Sequence, residues 1–472
     1  MSRVLFITHN GISHEPLGLM YLSGALLRAG HETKAIMAHK ALETVGSWGP
    51  DFVAFQVLTG DQDKWGRVAH DIKQHYPHVK TIFGGPHYLF FQKANQPEAD
   101  FVVKGEGENA IISIVEGREI PCLNSIENLD SLAHPDRSLL YNDEFPAIRD
   151  NVIRNVITTR GCPYKCTYCY NSMKEWQELM GPKRLKSHSP EWVIEDIELA
   201  ILKHGGELIS FQDDIFATSM DWLERWVKLY QRLRIPFFAQ LRPRFITEER
   251  IKLLKEANIH IASFAVESGV EKTRREILDR EEPNDVIYKG AMLLHKHGIK
   301  FRMQNLLALP VEDPLRDALD TLKFNMKCRP TLSWCSLLQA YPGTKVADYV
   351  VKKGMVKSLE DLIPMVNATF FDECSLPIKN KKEIERLHKY WSAVVRWQWL
   401  YPIVRVLIYV KVKQKWLNWI FEKTKGYINK MEYWRVKDKG QVRAREFQSL
   451  DRLGGELVRD AGKLEVLKDC VA

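Results

Sequence analysis

The segment Arg160-Gly161-Cys162-Pro163-Tyr164-Lys165-Cys166-Thr167-Tyr168-Cys169-Tyr170 follows an apolar, β-rich run and places three cysteines at C-x3-C-x2-C spacing. Three thiolates on one tight loop can hold three irons of a [4Fe–4S] cluster, which leaves the fourth iron free to bind a small molecule. A structural zinc site or a closed electron-transfer cluster normally uses four protein ligands. The missing fourth ligand therefore predicts chemistry at a metal held by Cys162, Cys166 and Cys169.

Two other interpretations compete with the open cluster. Free cysteines also pack as small apolar residues, and three of them could form most of a zinc site that is completed from elsewhere in the chain. The other cysteines show no pair spacing: Cys122, Cys328, Cys335, Cys374 and Cys470. A disulfide framework is not expected in a chain of 472 residues with eight cysteines. These observations favour the cluster.

Length and composition predict a globular protein of two or three domains, with 45% apolar residues. No signal peptide and no run of about 18 apolar residues is recognisable, and free cysteines favour a reducing cytoplasm. The net charge of +8 is concentrated, since residues 379–445 hold 18 Lys and Arg against 5 Asp and Glu. The chain is therefore expected to be a mildly acidic body with one basic module, and not a general nucleic-acid binder.

The N-terminal third alternates short apolar strands with helices, which predicts a parallel, doubly wound sheet. The expected strands are 4–8, 31–37, 51–57, 79–83 and 100–104, with helices at 17–29 and 63–76. Ligands bind beyond the carboxyl ends of such strands. Three Gly-bearing loops fall there: Thr59-Gly60, Gly84-Gly85-Pro86-His87 and Gly105-Glu106-Gly107-Glu108. The last loop formally matches a dinucleotide fingerprint, but it follows the last strand and its two glutamates would repel a pyrophosphate.

Strand–helix alternation resumes after residue 150 and predicts an incomplete (β/α)6 barrel. Its expected strands are 152–158, 208–212, 237–240, 259–266, 300–307 and 332–339. Active sites lie at the carboxyl ends of barrel strands, where this chain has Asp213, Arg242 and Glu267. The Asp213-Asp214 pair can bind an ammonium group or form a solvated turn. Arg242 offers a bidentate fork to a carboxylate, and a surface ion pair is the alternative.

The stretch Cys162-Pro163-Tyr164-Lys165-Cys166-Thr167-Tyr168-Cys169-Tyr170-Asn171 resembles the signature loop of radical S-adenosylmethionine enzymes. The resemblance implies that the cysteines ligate a [4Fe–4S] cluster whose fourth iron is chelated by S-adenosylmethionine. It further implies that Tyr168 packs near the adenine, that Asp213 lies near the amine and that Glu267 contacts the ribose. Residues 306–312 resemble the family's G-L-P-G-E segment, with Ala308 where glycine is usual.

The N-terminal third resembles the cobalamin-binding domain that is fused to many of these enzymes, through Pro16-Leu17-Gly18-Leu19 and the two Gly-rich loops at 84–87 and 105–108. In that group the corrinoid lies across the strand ends and its tail enters the sheet. Thr59-Gly60-Asp61-Gln62 occupies the turn where cobalamin mutases carry a cobalt-ligating histidine, so no lower histidine ligand is expected. The implied contacts are Thr59, Gly60, Gly84, Gly85, Pro86, Gly105, Glu106 and Glu108. A vestigial domain without cobalamin is the alternative.

The C-terminal region combines aromatic and basic residues. Its members are Trp391, Trp397, Trp399, Trp416, Trp419 and Trp434 with Lys411, Lys413, Lys415, Lys423 and Lys425. Basic helices with tryptophan are typical of anchors on anionic lipid, which predicts peripheral membrane contact through 390–435. RNA binding by stacking and a helical cap on the barrel are the alternatives.

Together these features predict three units: a cobalamin-binding-like Rossmann domain at 1–135, a radical S-adenosylmethionine partial TIM barrel at 148–350 and a mostly helical region at 351–472. The resemblance implies a cobalamin-dependent C-methyltransferase, acting through a 5′-deoxyadenosyl radical on an unactivated carbon of an apolar, lipid- or isoprenoid-like substrate. Flavodoxin or ferredoxin is the expected electron donor. The expected location is the cytoplasm, with peripheral contact at the inner face of the membrane as a further expectation. Ring-forming, oxygen-inserting or carbon–carbon coupling chemistry remains open, as does a non-catalytic iron–sulfur sensor.

Overall fold

A computed structural model describes residues 1–91, 94–120, 125–365 and 373–428. The N-terminal domain is a five-stranded parallel sheet in the order β2-β1-β3-β4-β5. Its strands are β1 (Arg3–Thr8), β2 (Glu32–Met37), β3 (Phe52–Gln56), β4 (Lys80–Gly84) and β5 (Phe101–Val102). Its helices are α1 (Leu17–Arg28), α2 (Ala41–Trp48), α3 (Gln62–His75), α4 (Pro86–Phe90) and α5 (Gly107–Val115). The predicted doubly wound sheet is confirmed, and the short α4 replaces part of an expected loop.

Both faces of this sheet are buried, which explains why its strands are continuous apolar runs. Val4 and Phe6 face one core with Ile82, whereas Leu5 and Ile7 face the other core. The strand order reverses direction at β1, so the loops after β1 and β3 open a crevice at the carboxyl edge. This crevice points toward the second domain.

The second domain is a six-stranded parallel sheet in which the strands follow chain order, β6-β9-β10-β11-β12-β13. Its strands are β6 (Ile153–Val156), β9 (Leu208–Phe211), β10 (Phe237–Leu241), β11 (Ile259–Glu267), β12 (Lys300–Leu307) and β13 (Leu332–Leu337). The intervening helices are α8 (Pro190–His204), α9 (Met220–Tyr230), α10 (Glu248–Glu256), α11 (Glu271–Glu276), α12 (Asn284–Lys296), α13 (Pro314–Cys328) and α14 (Lys345–Lys352). Sequential parallel strands with outer helices form the predicted partial barrel.

The expected strand 152–158 is interrupted. β6 ends at Val156, two residues before the expected end, and the chain then forms β7 (Thr159–Gly161), which pairs antiparallel with β8 (Leu185–Ser187). Two short helices flank this region, α6 (Pro146–Arg149) and α7 (Lys174–Met180). The break occurs because the Thr158 backbone N–H donates to Asp213 Oδ1 at 3.0 Å instead of to a neighbouring strand. A side chain at the end of β9 therefore bends the chain out of the barrel sheet.

The described C-terminal residues form α15 (Lys381–Arg396), α16 (Tyr401–Leu407) and α17 (Gln414–Tyr427). Helix α15 packs on β13 and α13, and Trp391 Nε1 donates to Ser333 Oγ at 2.7 Å. It thus covers an edge strand that would otherwise be open to pairing. Trp391 is fully buried and belongs to this cap, not to an exposed aromatic surface. Trp434 lies outside the described residues.

Candidate active site

The cysteine loop begins at a glycine that no other residue can replace without strain. Gly161 has φ +84°, and a Cβ at this position would collide with the carbonyl oxygen of Arg184, the residue before β8. Beyond it, the Thr167 N–H donates to the Leu278 carbonyl at 3.1 Å, and the Val346 N–H donates to the Thr167 carbonyl at 2.9 Å. The loop is therefore fixed from two sides by distant parts of the barrel.

The three cysteine sulfurs lie in a partly buried setting with hydrogen-bond donors. Burial raises the pKa of Cys162 and of Cys169 to about 12. Arg280 Nη1 donates to Cys166 Sγ at 3.5 Å, and Asn171 Nδ2 donates to Cys169 Sγ at 3.5 Å. Such thiols become ligands when a bound metal displaces the proton, and the donors stabilise the resulting thiolates.

A single metal ion would need at least three ligands that converge on one point. Within the described residues no group of three or more His, Cys, Asp or Glu side chains does so. A polynuclear cluster has a different requirement, because each thiolate binds a separate iron. The geometry of the loop therefore gives no support to the zinc interpretation.

A cavity of about 350 Å³ occupies the barrel beneath this loop, and its lining includes the three predicted strand-end residues Asp213, Arg242 and Glu267 together with Tyr168. Asp213 Oδ1 accepts hydrogen bonds from the Thr158 N–H and from the Thr158 and Thr159 hydroxyls. Its buried Oδ2 has no hydrogen-bond partner in the described part of the chain. Burial raises the pKa of Asp213 to about 6. An acceptor is thus held ready for a donor that the protein does not supply.

Glu267 and Tyr168 act as one unit. The Tyr168 hydroxyl donates to Glu267 Oε1 at 2.5 Å, and Arg280 Nη1 donates to the Tyr168 oxygen at 3.3 Å. Burial raises the pKa of Glu267. Glu267 has φ +67° and follows an irregularity in the pairing of β11 with β12. Non-glycine residues in this region of backbone space are strained and cluster at functional sites.

Arg242 lines the same cavity, but its fork is already used within the protein. Its Nη2 donates to Glu282 Oε2 at 3.0 Å, and its guanidinium lies 3.3 Å from the centre of the Tyr164 ring. Both partners of this ion pair are buried, so the alternative of a surface ion pair is wrong. The bidentate contact to a ligand carboxylate remains a prediction, and it would require Arg242 to share or exchange its partner.

A second cavity, of about 400 Å³, lies between the two domains. The N-terminal domain contributes Gly84, Gly85, Pro86, Gly105, Glu106 and Glu108 to its lining. The barrel contributes Arg160, Gly161, Tyr170, Gln212 and Asp214. On the sheet side the cavity reaches Phe6, Ala54 and Ile82, which share one face of the sheet. It therefore runs from the strand ends of the first domain into that face and opens toward the cysteine loop.

The predicted ligand residues of the first domain divide into three groups. Gly85 has φ +101°, and a Cβ there would come within 3.1 Å of the Val57 backbone, so this loop needs glycine. Glu106 and Glu108 both pair with Arg160, through contacts of 2.7 Å to Nη1 and 2.5 Å to Nη2. Thr59 and Gly60 lie outside the cavity lining, where the Gly60 N–H donates to Gln62 Oε1 at 2.8 Å.

Two family models match the chain: the B12 binding domain over residues 3–115 and the radical SAM superfamily over residues 156–324. The chain belongs to the cobalamin-binding radical SAM superfamily. An uncharacterized methyltransferase of Pyrococcus horikoshii is 26% identical over 387 residues, which cover 74% of this chain and 81% of that protein. The cytidylyl-2-hydroxyethylphosphonate methyltransferase of Streptomyces wedmorensis is 21% identical over 369 residues, covering 60% and 68%.

Among solved structures, the radical S-adenosylmethionine methyltransferase TsrM from Kitasatospora setae superposes with a TM-score of 0.61 at 17% identity, covering 75% of this chain and 76% of that one. This likeness shows the fold. The two family domains, together with the methyltransferase-named relatives, identify the chain as a radical SAM enzyme of the cobalamin-dependent methyltransferase group. Its cofactors are a [4Fe–4S] cluster, S-adenosylmethionine and cobalamin.

The residues of this radical SAM enzyme fit those three cofactors. The cysteine loop offers thiols with hydrogen-bond donors for a cluster, and Asp213 Oδ2 offers an unused acceptor for an ammonium group. The cradle at Gly85 and the inter-domain cavity offer a surface for a corrinoid and a recess beside Ala54 for its tail. The vestigial alternative is therefore set aside.

Several site residues were missed by sequence reasoning. Arg280 and Glu282 lie in a charged stretch after α11 that carries no motif, and only the fold brings them to Cys166 and Arg242. Arg160 had a usable signal, since a cation directly before the cysteines faces a loop with two glutamates. Asp214 was recognised only as a neighbour of Asp213, and in the structure it accepts a hydrogen bond of 2.6 Å from the Tyr170 hydroxyl beside the cysteine loop.

Proposed function

We propose that the protein is a C-methyltransferase that methylates an unactivated carbon of an apolar, lipid- or isoprenoid-like molecule. The observation that carries the proposal is the junction of the two cavities. Gln212 and Asp214, at the end of β9, line both the inter-domain cavity and the barrel cavity. A molecule at this junction would face the cysteine loop on one side and the corrinoid loops on the other.

When bound, the cluster with S-adenosylmethionine supplies a 5′-deoxyadenosyl radical, and cobalamin supplies a methyl group. The chain positions these groups and excludes water. We assign Asp213 to the S-adenosylmethionine amine and the Tyr168–Glu267 pair to its adenosine, because these groups line one cavity next to Cys166. Arg160, clamped by Glu106 and Glu108, ties the corrinoid loop to the strand that leads into the cluster loop.

The apolar character of the substrate is inferred from the inter-domain cavity. Its wall includes Leu17, Leu22, Ile111, Ile157 and Trp176. Enclosed apolar walls with a few placed polar groups are typical of sites for small, largely apolar molecules. The loops at Gly85 and Glu106 would hold a corrinoid against part of this wall, so the substrate would contact the side nearest Trp176 and Gln212.

The electron donor is proposed to be a flavodoxin or ferredoxin. Cys162 is partly exposed, Pro163 beside it is exposed, and the exposed Lys183 lies in the segment that packs on Gly161. A small acidic redox protein could approach the cluster at this point.

We also propose that α16 and α17 contact an anionic membrane surface. Among the described residues, no helix is both long and apolar enough to cross a membrane. The two helices, their linker and the turn before α16 instead expose large apolar side chains, including Trp399 (68%), Val406 (65%), Tyr409 (60%), Trp416 (55%) and Trp419 (55%). The exposed Lys411, Lys413 and Lys415 lie between them, and such a mixture suits anionic lipid. Residues 429–435 of the predicted contact lie outside the described chain.

Vesicle flotation tests this contact. The protein is expected to float with vesicles that contain phosphatidylglycerol and to remain below with neutral vesicles. The double variant Trp399→Ser, Trp416→Ser should lose flotation, whereas Leu27→Ser, which removes an exposed leucine from α1, should not. If flotation does not depend on lipid charge or on the two tryptophans, the proposed membrane-binding surface is refuted, and these helices serve only as a cap on the barrel.

The methyl-transfer proposal is tested with S-adenosylmethionine that carries a deuterated methyl group. The reconstituted enzyme is incubated anaerobically with reductant and a lipid extract of cells that lack the protein, and the products are compared by mass spectrometry. A lipid heavier by one labelled methyl group is expected with the wild type and with Cys328→Ala, which alters a buried cysteine away from the loop. It should be absent with Cys169→Ala. Products that are cyclised, oxygenated or coupled without the label would instead favour the other chemistries.

A further inference from the structure

The floor of the barrel cavity carries a cation that neither the cluster nor the other site residues use. Arg302 lines this cavity and lies near the start of β12, opposite Ser263 in the sheet. Glu267, which belongs to the adenosine side of the site, pairs with Asn305 three residues further along. At about 3.3 Å per residue, Arg302 is roughly 10 Å deeper in the barrel than Glu267.

The guanidinium of Arg302 is held in place by neutral groups only. Its Nε donates to Ser263 Oγ at 3.1 Å, and its centre lies 4.9 Å from the Phe238 ring and 5.5 Å from the Trp334 ring. These contacts fix the plane of the fork but leave its outer nitrogens, Nη1 and Nη2, without an acceptor among the described residues. No described carboxylate forms an ion pair with it.

The other two arginines of the cavity are already engaged. Arg242 pairs with Glu282, and Arg280 donates to Tyr168 and to the Ala265 carbonyl. Asp214 accepts from Tyr170 and Asn171. Arg302 is half-buried, so an anion would replace part of the lost hydration of its guanidinium. Its planar fork matches a carboxylate or phosphate.

We propose that Arg302 binds an oxyanion, a carboxylate or a phosphate, at one end of the substrate. The inference rests on the proposed function, because it assigns the substrate to the cavity that adjoins the cluster loop, and it changes the substrate class. The molecule has an apolar body near Gln212 and an acidic end at the floor of the barrel. Gln240 and Gln304, joined by a hydrogen bond of 3.3 Å, line the path between these points.

Binding of three short probes to the reconstituted enzyme tests this site: octanoate, octyl phosphate and neutral octanamide, measured by calorimetry. Arg302→Gln should weaken the affinity for the preferred anion at least about tenfold, as expected for the loss of a charge-assisted hydrogen bond, and should leave the affinity for octanamide unchanged. Arg302→Lys should lose less anion affinity, because it keeps the positive charge without the planar guanidinium. Comparison of octanoate with octyl phosphate distinguishes the two acids. Arg225→Gln, a change at an exposed ion pair on α9, is the matched control.

Two results would overturn the assignment. If Arg302→Gln and Arg302→Lys bind both anions as the wild type does, the cation has no role in acid recognition. If S-adenosylmethionine affinity falls in parallel with octanoate affinity, Arg302 contacts that cofactor and not the substrate. The proposed function fails separately: Arg302-dependent anion binding in an enzyme that transfers no methyl group would retain the acid site and reject methylation.

Discussion

Replacement of Asp213 with asparagine is expected to stabilise the barrel while weakening its affinity for S-adenosylmethionine. The carboxylate is buried, Oδ1 accepts from Thr158 and Thr159, and Oδ2 has no described partner. Burial raises the pKa of Asp213 from 3.8 to about 6, which corresponds to a penalty of about 3 kcal/mol for holding the charge in the folded state. Asparagine mimics the protonated carboxyl and should remove this penalty.

The stability gained by Asp213→Asn depends on pH. Above pH 6 the folded and unfolded states both carry the charged carboxylate, so the full penalty is present and Asp213→Asn should gain up to about 3 kcal/mol. Between pH 6 and 3.8 the folded state takes up a proton first, and the gain shrinks to about half near pH 5. Below 3.8 both states are protonated and the gain vanishes.

Urea unfolding of the metal-free protein, followed by tryptophan fluorescence at pH 8, 5 and 3.5, measures this gain. Asp221→Asn, at an exposed position in the first turn of α9, is the control and should change little at any pH. In the reconstituted enzyme, loss of the Oδ2 acceptor should weaken S-adenosylmethionine binding at least about tenfold. A variant that is less stable at pH 8, or that binds S-adenosylmethionine normally, would contradict the assigned role of Asp213.

Three further outcomes are expected. Arg160→Met leaves Glu106 and Glu108 buried without a cation, so it should lower the free energy of unfolding in urea by about 3–5 kcal/mol and reduce cobalamin retention. Arg160→Lys should give an intermediate loss, and unchanged stability in Arg160→Met would show that the two ion pairs are not formed. Ala308→Gly relieves a residue at φ +62° and should raise stability by up to about 1 kcal/mol, so a loss of stability would argue against the left-handed backbone. Gly161→Ala should lower the iron content after reconstitution because its Cβ meets Arg184. Gly181→Ala, also at positive φ but in open space, should bind iron normally. Equal iron content in the two variants would mean that the cysteine loop tolerates displacement.

Much of the fold could be predicted from local sequence patterns. Strands such as Phe6 and its neighbours are recognisable because both faces of a parallel sheet bury apolar side chains. Thr247 is a residue type that typically caps helices, and its Oγ1 accepts the Arg250 N–H at the start of α10. The proposed cluster site was also predictable from a local pattern, since its three cysteines lie on one loop at a recognisable spacing.

What the sequence did not reveal depends on pairs that are distant along the chain. The break after Val156 results from Asp213, 55 residues beyond Thr158. The partner of Arg242 is Glu282, 40 residues away, and no periodicity marks it. Trp391 carries the same composition signal as Trp399, yet one is fully buried and the other 68% exposed, because only α15 meets β13.

The central claim is that Cys162, Cys166 and Cys169 hold a radical-generating cluster. The most direct measurement is 5′-deoxyadenosine formed when the anaerobically reconstituted protein is reduced in the presence of S-adenosylmethionine, quantified by mass spectrometry. We predict its formation by the wild type and by Cys328→Ala, and none above background by Cys169→Ala. A fully loaded wild-type protein that releases no 5′-deoxyadenosine, or a Cys169→Ala variant that releases it at the wild-type rate, would contradict the account.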